Sequence, residues 1–267
     1  IRLQPPFKEP KRIIRSSGAG SDDSSELKGM LTINWLLPET AAAETNLALR
    51  ILNYILLGMP ASPLRKALID SGFGEDLAGV GLENELRQMY FSTGLKGIDI
   101  ENGDRVEDLV LQILNTLARE GIDPLTIEAA LNTVEFRLRE NNSRNYPQGL
   151  LIMLRALTTW LYDADPFALL AFEAPLAKVK SQLAADSSFF EGMIEKFFLK
   201  NSHRATLILQ PDPTLLEKEE AEERERLAAA RSAMSKENLQ AVIDQTNELK
   251  RIQQAPDSPE ALATIPM

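Results

Sequence analysis

No cysteine occurs anywhere in the 267 residues, and only one histidine does. Disulfides therefore cannot staple this chain, so its fold must rest on buried apolar surface. The length suffices for one large domain or two small ones with a sizeable core, and a hydrophobic content of 44% is ordinary for a globular protein. The same shortage limits the chemistry. A catalytic zinc site takes three protein ligands, mostly His or Cys. A Ser–His or Cys–His pair needs a histidine beside the nucleophile. His203, just before the apolar run Ala205-Thr-Leu-Ile-Leu209, can fill at most one such role. A polar residue at a strand entrance is its plainer reading.

Charge narrows the partners. The net charge is −10. Phosphate binding needs clustered Lys and Arg, so nucleic acid is not expected as a partner, whereas an acidic surface suits basic peptides. Absence of cysteine fits a reducing compartment. No uninterrupted apolar stretch reaches roughly 18 residues, so no membrane span is expected. The start, Ile1-Arg-Leu-Gln-Pro-Pro-Phe7, has neither an initiator Met nor an apolar signal core, and the chain reads as a piece of something longer.

Hydrophobic period organises the rest. Residues 1–28, with Pro5, Pro6, Pro10 and a Ser/Gly/Asp run, read as a connector. Alternation in Met30-Leu-Thr-Ile-Asn-Trp-Leu-Leu37 predicts a half-buried strand ended by Pro38. A helix is expected over 41–57, with Leu47, Ile51, Tyr54 and Ile55 on one face. Ser62-Pro63 restarts a short one. Two antiparallel strands are expected at 77–83 and 86–97. Helices follow: one marked by Val106, Val110, Ile113, Leu114 and Leu117 and stopped at Gly121, and one begun by Asp123-Pro124. A loop spans Asn141 to Pro147. Further helices are expected at 148–162, 166–184 and 187–199, and Ala205–Leu209 is the last strand. Beyond Pro213 the chain turns highly charged. Two helices joined near Met234-Ser235 are predicted, with a capping box at Thr214 and Glu217, and Leu239, Val242, Ile243 and Leu249 forming an apolar face on the second. The fold class is α+β: helices packed on a mainly antiparallel sheet, followed by a helical hairpin. The expected divisions are a connector at 1–28, the α+β domain at 29–211, the hairpin at 212–255 and an extended tail at 256–267.

No motif carries a reaction. Glu83 with Glu85, and Asp163 with Asp165, are carboxylate pairs with no visible third partner, and read as solvated turns. Gly72, Gly74, Gly79 and Gly81 form no phosphate loop, since neither GxxxxGK[ST] nor strand–GxGxxG–helix order is present. The aromatics Trp160, Tyr162, Phe167 and Phe172 fall in an apolar helical region and read as core. The Glu/Arg run at 217–226 reads as a solvated helix face.

Several stretches together, in order along the chain, resemble the presequence-protease branch of the pitrilysin/insulinase-type zinc metallopeptidases. They are the strand at 30–37, Gly58-Met-Pro-Ala-Ser-Pro-Leu-Arg-Lys66 with Ser71-Gly-Phe-Gly74, Trp160-Leu-Tyr-Asp-Ala-Asp-Pro166, Gln210-Pro-Asp-Pro213, and the hairpin with its exit Pro256-Asp-Ser-Pro-Glu-Ala-Leu262. The resemblance implies four related α+β domains in two halves, joined by a helical hairpin and closing around a peptide chamber. The zinc motif HxxEH lies in the first domain, and this chain is similar to the second domain plus the hinge. It contains no HxxEH, so the resemblance places no catalytic, cofactor-binding or metal residue here. It implies instead a non-catalytic domain of a peptide-degrading enzyme whose zinc is held elsewhere, with the other domains of the same polypeptide and peptides as partners. The compartment implied is the bacterial cytoplasm or an organelle interior. The rival reading is a free-standing interaction module that uses the acidic helix pair.

Overall fold

A computed structural model describes residues 2–18, 28–140 and 147–264. It divides into two compact units, 1–212 and 213–267.

The first unit is built on a five-stranded sheet of β1 (Lys11–Gly18), β2 (Gly29–Glu39), β3 (Asp76–Glu83), β4 (Gln88–Ile98) and β5 (Arg204–Asp212), in the order β1-β5-β2-β4-β3. Only β1 with β5 is parallel, and the other pairings are antiparallel. The sheet is therefore mainly antiparallel, as the sequence predicts. Alternation in β2 sorts its side chains cleanly. Leu31, Ile33, Trp35 and Leu37 are buried, together with Met89, Phe91 and Leu95 of β4 and Ile208 of β5. The opposite face carries Met30, Asn34, Leu36 and Tyr90, which stay half-buried. There Ser92 Oγ donates to Asn34 Oδ1 (2.7 Å), while Asn34 Nδ2 donates to the Ala205 carbonyl (3.2 Å).

Helices cover the apolar face. They are α1 (Ala43–Asn53), α2 (Pro63–Asp70), α3 (Gly103–Glu120), α4 (Pro124–Glu140), α5 (Gln148–Trp160), α6 (Glu173–Ala185) and α7 (Phe189–Ile194). Leu47, Ile51 and Ile55, and Val106, Val110 and Leu114, join the sheet residues in one core. Trp35 is its largest fully buried member. Its indole N–H donates to the Phe198 carbonyl (3.0 Å), and its ring meets that of Phe198 edge-on at 5.3 Å. Gly121 ends α3 at φ 93°, a conformation that favours glycine.

The structure corrects several expectations. The 1–28 connector contains β1. Its residues are mostly exposed and pair only with β5, so it lacks the buried face that makes a strand legible. Pro38 does not end β2, because a register shift between Leu36 and Glu39 accommodates it. The expected helix at 166–184 begins only at Glu173, since Asp165 Oδ1 accepts from the Phe167 N–H (2.9 Å) and holds a turn. The run Ala43–Asp70 does have the length and hydropathy of a membrane span. It is broken at Met59–Ser62, and its apolar residues Leu47, Ile51, Ile55 and Leu64 lie in the core. Residues 141–146 of the expected loop fall outside the described residues.

The second unit holds α8 (Leu215–Ala233), α9 (Lys236–Gln254) and a single turn, α10 (Pro259–Leu262), within the tail expected to be extended. Ser235 Oγ caps α9 by accepting from the Asn238 N–H (3.2 Å). Thr214 makes no side-chain cap, contrary to the expected capping box. Neither long helix has a buried residue, and Val242, Ile243 and Leu249 are exposed instead of packed.

Candidate functional site

A cleft of about 280 Å³ opens between α1, α5 and the segment 168–175, with Asn84 and Glu85 beyond β3 at its edge. Its lining is half apolar (Leu47, Leu151, Leu154, Leu169, Phe172) and half polar (Asn46, Arg50, Asn84, Arg155, Thr158). The sequence reading singled out neither arginine. The polar wall is ordered by its own bonds. Asn84 Nδ2 donates to Asn46 Oδ1 (2.9 Å), and Asn46 Nδ2 donates to the Thr40 carbonyl (3.0 Å). Arg50 sits on α1, one position before the buried Ile51. Burial, and then the neighbouring Arg155 charge, hold its guanidinium below the usual arginine range.

Beside the cleft, α5 is apolar on nearly every side. Leu150, Ile152, Met153 and Leu154 are exposed, as are Trp160 (64%) at its end and Phe167 (67%) in the following turn. Trp160 and Phe167 are thus exposed, which corrects the expectation that they are core. Phe172 does pack against the core, and Tyr162 is half-buried. Large exposed apolar patches are characteristic of faces that meet another surface.

The residues weighed from sequence resolve into structural parts. His203 is buried at the entrance of β5 and stacks on Phe7, with ring centroids 3.7 Å apart. Its Nδ1 accepts from the Phe7 N–H (3.2 Å), and Ser202 Oγ donates to the Phe7 carbonyl (2.6 Å). Glu83 Oε1 accepts from the Glu85 N–H (2.7 Å), which closes a tight turn. Asp163, at φ 63°, and Asp165 shape the turn after α5. Gly79 and Gly81 sit at the bulge between β3 and β4 with φ of 88° and 70°.

The pitrilysin-type resemblance brings zinc into question. Among the described residues no three His, Cys, Asp or Glu side chains gather in a group able to hold a metal. His203 already spends Nδ1 on a backbone N–H. This donor set does not fit zinc, and no step through a metal is drawn on this chain.

The fold and the cleft fit several classes of α+β protein. Comparison with known proteins says which. A family profile described as "Peptidase M16 inactive domain" matches residues 3–134, and a second, for the segment associated with M16 peptidases of subfamily C, matches residues 209–267. The chain is 45% identical to presequence protease 1, chloroplastic/mitochondrial, of Arabidopsis thaliana, covering 100% of this chain and 25% of that protein. It is 33% identical to protein HypA of Clostridium perfringens, covering 100% of this chain and 27% of that protein. Among solved structures, the inactive peptidase domain of a zinc protease from Bordetella parapertussis aligns with a TM-score of 0.54 at 13% identity, covering 71% of this chain and 94% of that one. That likeness concerns the fold alone. The chain spans about a quarter of the length of the curated relatives it matches. It belongs to the M16 peptidase family, as an inactive domain followed by the associated segment of subfamily C.

Proposed function

We propose that this chain is the second, non-catalytic domain of a zinc metalloendopeptidase that degrades peptides. Residues 29–211, with β1 added, form part of the wall of its substrate chamber, and 212–255 form the hinge between its two halves. The zinc is held by another domain of the same polypeptide. The partners are those domains and the peptide substrates.

The observation that carries this reading is the two-sided sheet. One face is sealed by helices, while the other keeps Met30, Asn34, Leu36 and Tyr90 half-buried and polar groups within reach. A wall needs such a surface. Two further features support it. The apolar side of α5 is exposed, and neither α8 nor α9 buries a side chain of its own. The relatives' names place some of them in chloroplasts and mitochondria, and a bacterial cytoplasm or organelle interior fits this chain. Nothing favours the acidic helix pair as a separate docking module: Arg224 pairs with Glu220, and Arg226 with Glu223, along α8 itself.

The test is a peptide-cleavage assay on the full-length protein with and without a chelator. Cleavage that is lost on chelation and restored by zinc supports the proposal. Zinc-independent cleavage, or none on any peptide, refutes it.

A further inference from the structure

Leu36 of β2 and Tyr90 of β4 are paired across the sheet, on the face turned away from the helices and outside the apolar core. The chain's own first residues reach this end of the face. Gln4 N–H donates to Gln88 Oε1 (2.6 Å), and three residues later Phe7 is fixed by Ser202 and His203 at the entrance of β5. Met89, between Gln88 and Tyr90, is buried in the core, so both its neighbours face the other way. Arg204 turns to Glu107 of α3 (3.9 Å), and His203 before it faces away from the helices. β2 lies between β4 and β5 in the sheet. The segment from Gln4 to Phe7 therefore passes the end of β2, where Leu36 N–H donates to the His203 carbonyl (3.1 Å). Pro5 and Pro6 stiffen the crossing.

Phe7 is the half-buried anchor of this segment, while Gln4, Pro5, Pro6 and Lys8 are exposed. His203 holds the segment with both ring nitrogens. Its Nδ1 accepts from the Phe7 N–H (3.2 Å), which leaves Nε2–H as the donor of its bond to the Pro5 backbone. The two bonds fix one neutral tautomer. A second proton goes to Nδ1, turns the acceptor into a donor and sets it against the Phe7 N–H. Lys11 Nζ lies 4.1 Å from the Phe7 ring centre, and its charge disfavours a further cation at His203. The other charges around the segment are engaged or exposed. Arg204 is turned to Glu107, Lys200 pairs with Glu195 (2.7 Å), Arg87 with Glu39 (3.4 Å), and Lys8 and Glu9 face solvent. Among the described residues no carboxylate acts on His203 to stabilise the protonated ring.

We propose that Gln4–Phe7 is a strap over the Leu36–Tyr90 end of the open sheet face, that His203 latches it, and that protonating His203 frees it and bares those two side chains to peptide. The strap itself shows what fits there: a segment without helix whose backbone N–H and C=O are both bonded and whose aromatic ring is stacked. The latch holds above the ordinary histidine value of about 6.5 and lets go as pH falls through the lower value that burial imposes. This deepens the chamber-wall reading by naming what controls access to that face, and rests on it for the identity of the ligand as a peptide.

Thiol labelling of the full-length protein reads the strap, since these 267 residues contain no cysteine. Tyr90→Cys is the reporter, Leu36→Cys a second one, and Val80→Cys, at an exposed position on the edge strand β3, the reference. Rates with a pyridyl disulfide, read by peptide mass spectrometry, give a reporter-to-reference ratio at pH 7.5 and 5. The ratio rises about tenfold on acidification, the effect of losing one hydrogen bond at the latch. Adding His203→Ala makes it high at both pH values, and adding His203→Gln removes its pH dependence. A ratio unchanged by pH, or a rise that survives His203→Gln as general acid unfolding would, overturns the latch. Access is read calorimetrically at pH 7.5 with a short blocked peptide of alternating Leu and Ser. The His203→Ala protein binds it about tenfold more tightly than the unaltered one, because the open face is more populated, and Tyr90→Ala removes the gain. Equal affinity in the unaltered and His203→Ala proteins overturns the claim that the strap guards a peptide face. A protein that cleaves peptides but shows no change in labelling loses the strap and keeps the peptidase reading. One that shows the change but cleaves nothing keeps the latch and loses that reading.

Discussion

Replacing the only histidine tests whether it is a clamp or a catalyst. His203→Ala removes the Nδ1 acceptor of the Phe7 N–H and the ring stacked on Phe7. The hydrogen bond contributes about 1 kcal/mol and the stack about 0.5–1.5 kcal/mol, so the clamp is worth about 2 kcal/mol. Its loss should raise the open population of residues 4–18 up to roughly thirtyfold while leaving the core untouched. Acid should do the same to the unaltered protein. Burial lowers the His203 pKa, a hydrogen bond with the Pro5 backbone raises it, and the Lys11 charge lowers it again, with a net fall. The fold therefore favours the neutral ring. Its contribution is complete above the unfolded value of about 6.5 and is lost as pH falls through the folded value. A protonated ring has hydrogens on both nitrogens and can no longer accept from Phe7. Hydrogen exchange of peptides within 4–18, corrected for intrinsic rates and compared at pH 7.5 and 5, reads both effects. Protection unchanged by the substitution and by pH would refute the clamp.

Further predictions concern packing. Trp35→Ala should cost about 3–5 kcal/mol in urea unfolding, while Trp35→Phe, which keeps an aromatic ring but abandons the Phe198 carbonyl, should cost about 1–3 kcal/mol. Equal costs would mean the hydrogen bond, and not the ring, dominates. Gly81→Ala should destabilise clearly more than Gly72→Ala. Both have positive φ, but a Cβ at Gly81 would lie 2.5 Å from Asn53 Oδ1, whereas Gly72 faces open space. Equal losses in thermal melts would count against a steric origin. Helices α8 and α9 bury nothing, so their amides should exchange faster than those of α3. Equal protection would show that α8 and α9 are held by contacts other than their own.

The sequence was most legible where one face of an element is buried. The alternation around Trp35 marked β2, and the Val106–Val110–Leu114 spacing marked α3, because burial imposes period on sequence. β1 was not legible, since Lys11–Gly18 is an edge strand held by backbone bonds to a partner nearly two hundred residues away, and exposed side chains carry no alternation. Trp160 and Phe167 misled for the opposite reason: exposed aromatics in an apolar stretch have the same composition as core. The cleft was invisible because Arg50 and Arg155 are distant in sequence and each resembles an ordinary helix-surface arginine. Donor supply alone led the sequence to expect no reaction centre, and the fold shows His203 bonded to and stacked on Phe7.

The central claim is that this domain serves a zinc peptidase without holding its metal. Zinc content and peptide cleavage of the full-length protein, measured for the unaltered form and for His203→Ala, test it most directly. The account predicts stoichiometric zinc and chelator-sensitive cleavage in both, with the 267-residue chain alone binding no zinc and cleaving nothing. Zinc that is lost on replacing His203, or bound stoichiometrically by the isolated chain, would contradict it.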